Sequence, residues 1–324
     1  CIFAAQYFPH LGGVERYTYN LSKELIRRGN EVVIVTSNVN RIKSYEEMDG
    51  IPVFRLPCIN LLDGRYPVLK ITKEFWKIHR ILFRKKFDMV IVNTRFYPHS
   101  LYGMIFAKMK KTKCITIEHG TSHLSVHNRF WDSVGGVYEH CLTKIDQLFC
   151  HEYYGVSKAC NEWLKHFHIK AQGVLYNSID IEEINSLENQ INKSYRQAYQ
   201  IPSEAMIITF TGRLLKEKGL PQLLNVMDRI CKHRKDVYLF IAGDGDMEEE
   251  IKERATRHII PLGRIEMGDI VALLKESDIF CLPSFSEGFS TSLLEAAACR
   301  CYIVTTARGG ARELLPDDRY GTII

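Results

Sequence analysis

The chain has 324 residues, 46% of them hydrophobic and 25% charged, which excludes a disordered segment and gives more length than one modest core needs. A net charge of +5 is mild: it suits an anionic small ligand or a membrane surface and leaves no footprint for nucleic acid. No apolar run reaches the ~18 residues of a membrane-crossing helix.

Cys1-Ile2-Phe3-Ala4-Ala5-Gln6 reads as a buried strand. Gly12-Gly13 follows, opening a helix from about Glu15 to Arg28 that Gly29 stops. Paired glycines let backbone approach a ligand closely, although such a pair at a strand–helix turn often serves geometry alone. The spacing is not a GxGxxG fingerprint, which counts against a dinucleotide. Glu31–Thr36 is the next strand, and others are expected near 51–56, 88–93, 113–118, 147–150 and 173–177. Helical stretches between them predict a doubly wound parallel sheet. One helix, from about Val68 to Arg84, sets Ile71, Phe75, Ile78 and Leu82 on one face. Lys70, Lys73, Lys77, Arg80 and Arg84 lie opposite, continued by Lys85 and Lys86. It is either a solvated surface helix or a docking face for anionic lipid.

Residues 181–202 are polar and poor in large apolar side chains, so they are read as a linker between a first domain, 1–180, and a second, 203–324. The alternation restarts at 206–212, with strands near 237–242, 258–262, 278–282 and 301–306. The first strand of this half leads into Gly212-Arg213-Leu214-Leu215-Lys216-Glu217-Lys218-Gly219. Arg offers a planar fork and Lys a mobile point charge, together able to neutralise a diphosphate without a metal. The strand 278–282 leads into Pro283-Ser284-Phe285-Ser286-Glu287-Gly288-Phe289, then Ser290, Thr291 and Ser292, three hydroxyl residues able to cap the helix that follows. In a parallel sheet such junctions lie at the carboxyl ends of the strands, where ligands bind, and a helix start suits phosphate. Glu287 and Glu295 frame this one with seven residues between them. Carboxylates beside an anion site suit sugar or ribose hydroxyls, so the ligand reads as part diphosphate and part carbohydrate.

Two patterns resemble metal sites. Asp244-Gly245-Asp246 follows a strand between Gly243 and a helix start, where a nucleotide-edge loop or plain turn, with either Asp capping the helix, fits better than a cation site. His119, His123 and His127 recur every four residues, but His119 stands at a strand end, so the three are not expected on one helix face. His119 is better placed to hydrogen-bond a sugar or a departing phosphate. His166 and His168 read as helix-end residues without special role. Ten cysteines occur, several inside apolar runs and none as CxxC, and they read as reduced thiols of a cytoplasmic protein. Strand-like residues at both ends predict that a few N-terminal residues and a larger C-terminal piece are missing. Neither end is expected to be a signal peptide.

Glu287 and Glu295 resemble the E-x7-E motif of GT-B fold retaining glycosyltransferases of the GT4 group. Further matches are Gly12-Gly13-Val14-Glu15, Glu118-His119-Gly120, Val156-Ser157-Lys158, Tyr176-Asn177-Ser178-Ile179-Asp180, Gly212-Arg213-Leu214, Lys218-Gly219, Gly243-Asp244-Gly245, Gly263-Arg264 and Gly309-Gly310-Ala311-Arg312-Glu313. The resemblance implies an α/β GT-B fold, two Rossmann-like doubly wound domains facing across a cleft, with acceptor mainly on the first and nucleotide on the second. It implies Arg213 and Lys218 on the diphosphate, Glu295 on the ribose and Glu287 on the donor sugar, with His119 and the Gly12-Gly13 loop reaching in from the first domain. Gly243 and Gly288-Phe289-Ser290 would line the donor site. The family works without a metal or a separate cofactor, the leaving diphosphate helps deprotonate the acceptor, and no protein nucleophile is nominated. Two departures stand out: Asn177-Ser178 where the family has Asn-Gly, and Cys299-Arg300-Cys301-Tyr302-Ile303-Val304 where it has a small-Gly-x-Pro-Val run.

The expectation is therefore a cytoplasmic retaining transferase, in peripheral contact with the inner face of the plasma membrane through residues 68–86. It would move a hexosyl unit from a UDP-sugar, or secondly GDP-mannose, to a glycan or lipid-linked acceptor in cell-surface polysaccharide synthesis. The rivals are a GT-B sugar-nucleotide epimerase and a non-catalytic nucleotide-sugar-binding partner.

Overall fold

Apolar runs too short for a buried helix form the strands here, and the glycine- and hydroxyl-rich segments after them turn the chain into helices. The computed structural model describes every residue except 11, 63 and 125–127, and it divides into two units, Cys1–Asn177 and Ser178–Ile324.

The first unit runs β1 (Ile2–Ala4), α1 (Gly13–Arg27), β2 (Ile34–Ser37), β3 (Tyr45–Met48), β4 (Ile51–Leu56), β5 (Cys58–Leu61), β6 (Tyr66–Leu69), α2 (Lys73–Arg84), β7 (Met89–Asn93), α3 (Pro98–Lys110), β8 (Lys113–Glu118), α4 (Arg129–Asp146), β9 (Glu152–Gly155), α5 (Lys158–Lys165) and β10 (Gly173–Val174). Its main sheet has the order β10-β9-β8-β7-β1-β2-β4-β3, parallel except for β3, which pairs antiparallel with β4 at the edge. β5 and β6 form a separate antiparallel pair. One core gathers Phe3, Val35, Phe54 and Val92 of the sheet with Phe75, Ile78 and Leu82 of α2 and Met104 and Phe106 of α3.

Three expectations differ. The helix expected from Val68 begins at Lys73, where the Thr72 side chain caps it by accepting from the Phe75 N–H at 3.2 Å; Val68 is instead paired with Ile59. Phe75, Ile78 and Leu82 are buried as predicted, whereas Ile71 precedes the helix and is exposed. The strand expected at 147–150 is the turn that ends α4, with the Phe149 and Cys150 N–H groups bonded to Asp146 O, and the strand lies at Glu152–Gly155. An apolar triplet can end a helix as well as make a strand.

The second unit runs α6 (Ile181–Glu188), α7 (Tyr195–Ala198), β11 (Met206–Thr211), a 3₁₀ turn (Lys216–Lys218), α8 (Leu220–His233), β12 (Val237–Ala242), α9 (Glu248–Glu253), β13 (Ile259–Gly263), α10 (Met267–Lys275), β14 (Ile279–Leu282), α11 (Thr291–Ala298), β15 (Tyr302–Thr305), α12 (Ala311–Leu314) and β16 (Gly321–Ile323). All six strands are parallel in the order β13-β12-β11-β14-β15-β16. Val237, Leu239 and Ile241 feed one core and Tyr238, Phe240 and Ala242 the other, the two-residue period of a sheet covered on both faces.

Residues 181–202, expected as a linker, carry α6 and α7 and belong to this second unit. Single apolar anchors bury them: Ile184 packs into one core and Tyr195 into the other. Ile201 joins the second of these cores and Leu187 and Ile191 pack partly buried against them, while most of the other residues are exposed, which is why the segment's composition resembles that of a linker.

Candidate active site

In the second unit, the order of the sheet reverses between β11 and β14, and a ligand crevice is expected at that topological switch point. The loops leaving these two strands carry the predicted residues and meet. Lys218 Nζ donates to Glu287 Oε1 at 2.7 Å, both side chains being mostly buried. The Phe285 N–H and the Ser284 hydroxyl both donate to Glu217 O, at 2.8 and 3.2 Å. Gly219, with φ 75°, sits where a Cβ would stand 2.0 Å from Pro283 O, so only glycine permits this approach.

Neighbouring loops brace this pair. The Leu214 N–H donates to Asp244 O at 2.7 Å, the Met247 N–H to Leu214 O at 2.9 Å, and the Gly310 N–H to Gly288 O at 3.0 Å. At Gly243, φ 145°, a Cβ would lie 1.8 Å from Gly212 O. The fold alone thus accounts for this predicted site glycine. Asp244 and Asp246 make a turn and cap nothing: Met247 is the N-cap of α9, with no side-chain cap.

Ser290 is the N-cap of α11, yet its side chain makes no capping bond, unlike Thr72, Asn128, Ser157, Asp180 and Ser194, which all cap their helices. The hydroxyl run expected to cap this helix leaves its first-turn N–H groups for another acceptor. Glu295, in the second turn, is buried. Arg213 is exposed and forms no ion pair among the described residues. Two cations, a helix start with unspent donors and two carboxylates make a set suited to a diphosphate flanked by hydroxyls.

The first unit assembles a second set. Gly12 is the N-cap of α1 in extended backbone, and a Cβ on Gly13 would meet nothing within 4 Å, so the fold does not require glycine at Gly13. His119, after β8, packs edge-on against Tyr17 of α1 with ring centroids 4.8 Å apart. His119 Nε2 lies 3.0 Å from Asn93 Oδ1, Asn93 Nδ2 donates to Thr18 Oγ1 at 2.8 Å, and Thr18 Oγ1 donates to Val14 O at 2.7 Å. Because Thr18 spends its proton on a carbonyl, it must accept from the amide of Asn93. Asn93 Oδ1 therefore accepts from His119, whose proton sits on Nε2. Burial holds the imidazole well below its usual pKa. The result is a neutral ring with Nδ1 left as an acceptor, suited to a hydroxyl rather than to a phosphate oxygen.

Beneath His119 lies a network that sequence reading missed. Arg95 is fully buried and pairs with Glu118 and, at 2.6 Å, with Glu139. Glu118 Oε1 accepts the N–H groups of His119 at 3.1 Å and Gly120 at 3.0 Å, fixing the loop. Asn93 and Arg95 had one signal available, polar residues at and just beyond the carboxyl end of an apolar strand. Glu139, inside a helix, had none. His127, part of the weighed histidine series, lies outside the described residues. The remaining predicted positions, Gly288 and Phe289, occupy the loop before α11 beside Gly310.

Among the described residues no helix is long and apolar enough to cross a membrane. The basic residues of α2 and its flanks are all exposed, and Trp76 and Phe83 are exposed among them.

Residues 11–183, more than half of the chain, match the model of Glycosyltransferase Family 4, and residues 191–324 match that of Glycosyl transferases group 1. An uncharacterized glycosyltransferase of Methanocaldococcus jannaschii is 28% identical, with 100% of this chain and 84% of that protein covered. The phosphatidylinositol N-acetylglucosaminyltransferase GPI3 subunit of Saccharomyces cerevisiae is 26% identical over 96% of this chain and 68% of its own length. Among solved structures, Anabaena HepE in complex with UDP-glucose aligns with a TM-score of 0.71 at 18% identity, covering 99% of this chain and 85% of that one. The shared fold is GT-B. Family models that follow one another along the sequence agree with the motifs of both units: the chain is a GT-B glycosyltransferase and belongs to Glycosyltransferase Family 4.

Proposed function

We propose that the chain transfers a hexosyl unit, with retention of configuration, from a nucleotide diphosphate sugar to an acceptor carried on a lipid or glycan. The observation that carries this reading is the Lys218–Glu287 pair at the switch point of the second unit, beside a helix start whose N-cap side chain makes no capping bond. Lys218 and Arg213 neutralise the diphosphate, the first turn of α11 donates to it, Glu295 takes the ribose and Glu287 a hydroxyl of the donor sugar. Gly12, Gly13 and neutral His119 serve the sugar and acceptor. Catalysis is then positioning and charge stabilisation, with the departing diphosphate accepting the acceptor's proton and no resident metal or cofactor required.

A UDP-sugar is the favoured donor, supported by the UDP-glucose complex of the Anabaena neighbour. The yeast relative, named for phosphatidylinositol, favours a lipid-linked acceptor. Exposed cations interleaved with Trp76 and Phe83 on α2 suit peripheral contact with an anionic leaflet on the cytoplasmic side.

Saturation-transfer NMR against UDP-, GDP- and ADP-sugars in EDTA tests the donor, followed by product analysis with Glu287→Ala as control. Selective contact with one sugar nucleotide, and an α-linked product from an α-linked donor that Glu287→Ala abolishes, is the expected result. Epimerised donor without transfer, inverted product, or binding without turnover on any acceptor lipid would overturn it.

A further inference from the structure

The first unit brings together three histidines that the sequence keeps far apart. His123 follows β8, His140 stands in the middle of α4 and His166 caps the end of α5. Their ligand nitrogens all lie within 4.8 Å of one another. We infer that His123, His140 and His166 form a binding site for a divalent transition-metal ion of the zinc class, distinct from the proposed donor and acceptor groups.

Geometry argues for it first. His140 Nε2 and His166 Nε2 stand 3.1 Å apart. Two imidazole nitrogens on one tetrahedral ion, each at ~2.0–2.1 Å from it, are separated by about 3.3 Å, so the pair needs little movement to share a cation. His123 already has the arrangement metal-binding histidines adopt. Its Nδ1 lies 2.6 Å from Glu139 Oε2, which holds the proton on that nitrogen and leaves Nε2 with its lone pair available. The other rings are held as firmly: Trp163 stacks on His166 at 4.9 Å with 11° between planes, and Phe167 lies 4.6 Å from His140.

Charge and access agree. The neighbouring Arg95 is held by two carboxylates, Glu118 and Glu139, which offset its charge. His166 is exposed and the other two are half-buried, so an ion enters from solvent without opening the core. Three imidazoles fit zinc, cobalt, nickel or copper and do not fit magnesium or calcium, which take oxygen. The fourth position is left to water. An ion held there ties the loop after β8, which carries His119, to α4 and α5.

The test uses the untagged chain, stripped with EDTA and dialysed. Calorimetry with Zn²⁺ and visible d–d absorption with Co²⁺ read stoichiometry and geometry, and a melting curve reads stabilisation. His140→Asn and His166→Asn are the variants, with circular dichroism and the melting temperature in EDTA showing that each folds. The expected result is one ion per chain, a Zn²⁺-dependent rise in melting temperature, and at least ~10-fold weaker binding in each variant. Tight stoichiometric binding that persists in the double variant places the ion elsewhere and overturns the inference. Absence of any Zn²⁺-dependent shift in the parent chain does the same.

Discussion

Lys218 Nζ and Glu287 Oε1, 69 positions apart in sequence, stand 2.7 Å from each other and join the loops of β11 and β14 where the sheet order reverses. The pair keeps a cation and a carboxylate fixed side by side before any ligand arrives. On the proposed function each has a separate duty, which would make them separable by substitution.

Lys218→Met is expected to weaken binding of the nucleoside diphosphate by roughly 10–100-fold, the loss of one charge-assisted contact of ~1.5–3 kcal/mol. Glu287→Ala is expected to leave that affinity within about threefold while turnover falls by ~10²–10³-fold, the scale of losing one preorganised electrostatic contact. Calorimetry with UDP and a diphosphate-release assay separate the two. Equal loss of UDP affinity in both variants would contradict the division of roles.

His119 is expected to remain neutral, with its proton on Nε2, throughout pH 5–8, because burial lowers its pKa and Asn93 fixes the tautomer. Nitrogen-15 NMR of the imidazole reads both properties. Asn93→Asp places a carboxylate against Nε2 and is expected to raise the pKa by about a unit or more. A wild-type ring titrating near 6.5 would remove the argument for a hydroxyl partner.

Asp146 is buried with neither carboxyl oxygen bonded, and burial pushes its pKa up to about 8, partly opposed by Arg95. The folded pKa lies above the unfolded one, so the group's contribution is fully present below pH ~4 and lost as pH rises towards 8. Asp146→Asn is expected to stabilise the chain by ~1–3 kcal/mol at pH 8, with the gain shrinking as pH falls to 5. Urea midpoints at the two pH values measure this, and a gain independent of pH would mean that the folded carboxyl is already charged throughout this range, without a raised pKa.

Arg300 holds φ 68° at the end of α11, at the departure from the small-Gly-x-Pro-Val pattern. Left-handed backbone disfavours any side chain by ~1–2 kcal/mol, partly offset by the greater unfolded freedom of glycine. Arg300→Gly is expected to stabilise by about 0.5–1 kcal/mol, raising the melting temperature by ~1–4 °C with turnover unchanged. A lower melting temperature would assign the Arg300 side chain a contact of its own.

The strand–loop–helix junctions at 206–220 and 278–298 were legible because apolar runs of strand length end abruptly in glycine, hydroxyl and charge. The Glu287 and Lys218 loops followed from that reading, although their direct pairing did not. β3, with the sequence Tyr45-Glu46-Glu47-Met48, was hidden: a charged edge strand carries no apolar run to reveal it. The packing of 181–202 was hidden too, since its buried apolar residues, Ile184, Tyr195 and Ile201, are scattered through a polar segment. Arg95 and Glu139 escaped for a different reason. A buried ion pair is defined by its partner, and those partners lie 23 and 44 positions away.

The loops of the second unit lean on one another through main-chain groups: Leu214 on Asp244, Met247 on Leu214, Phe285 on Glu217, Gly310 on Gly288. Such a scaffold depends little on most of the side chains it displays, the glycines, Ser284 and the Lys218–Glu287 pair apart. Preference for one base or one sugar can therefore drift, or be re-engineered, through a few exchanges in these loops while the frame that presents them stays put. In evolutionary terms, on the proposed function, the donor pocket is a socket whose pins are replaceable.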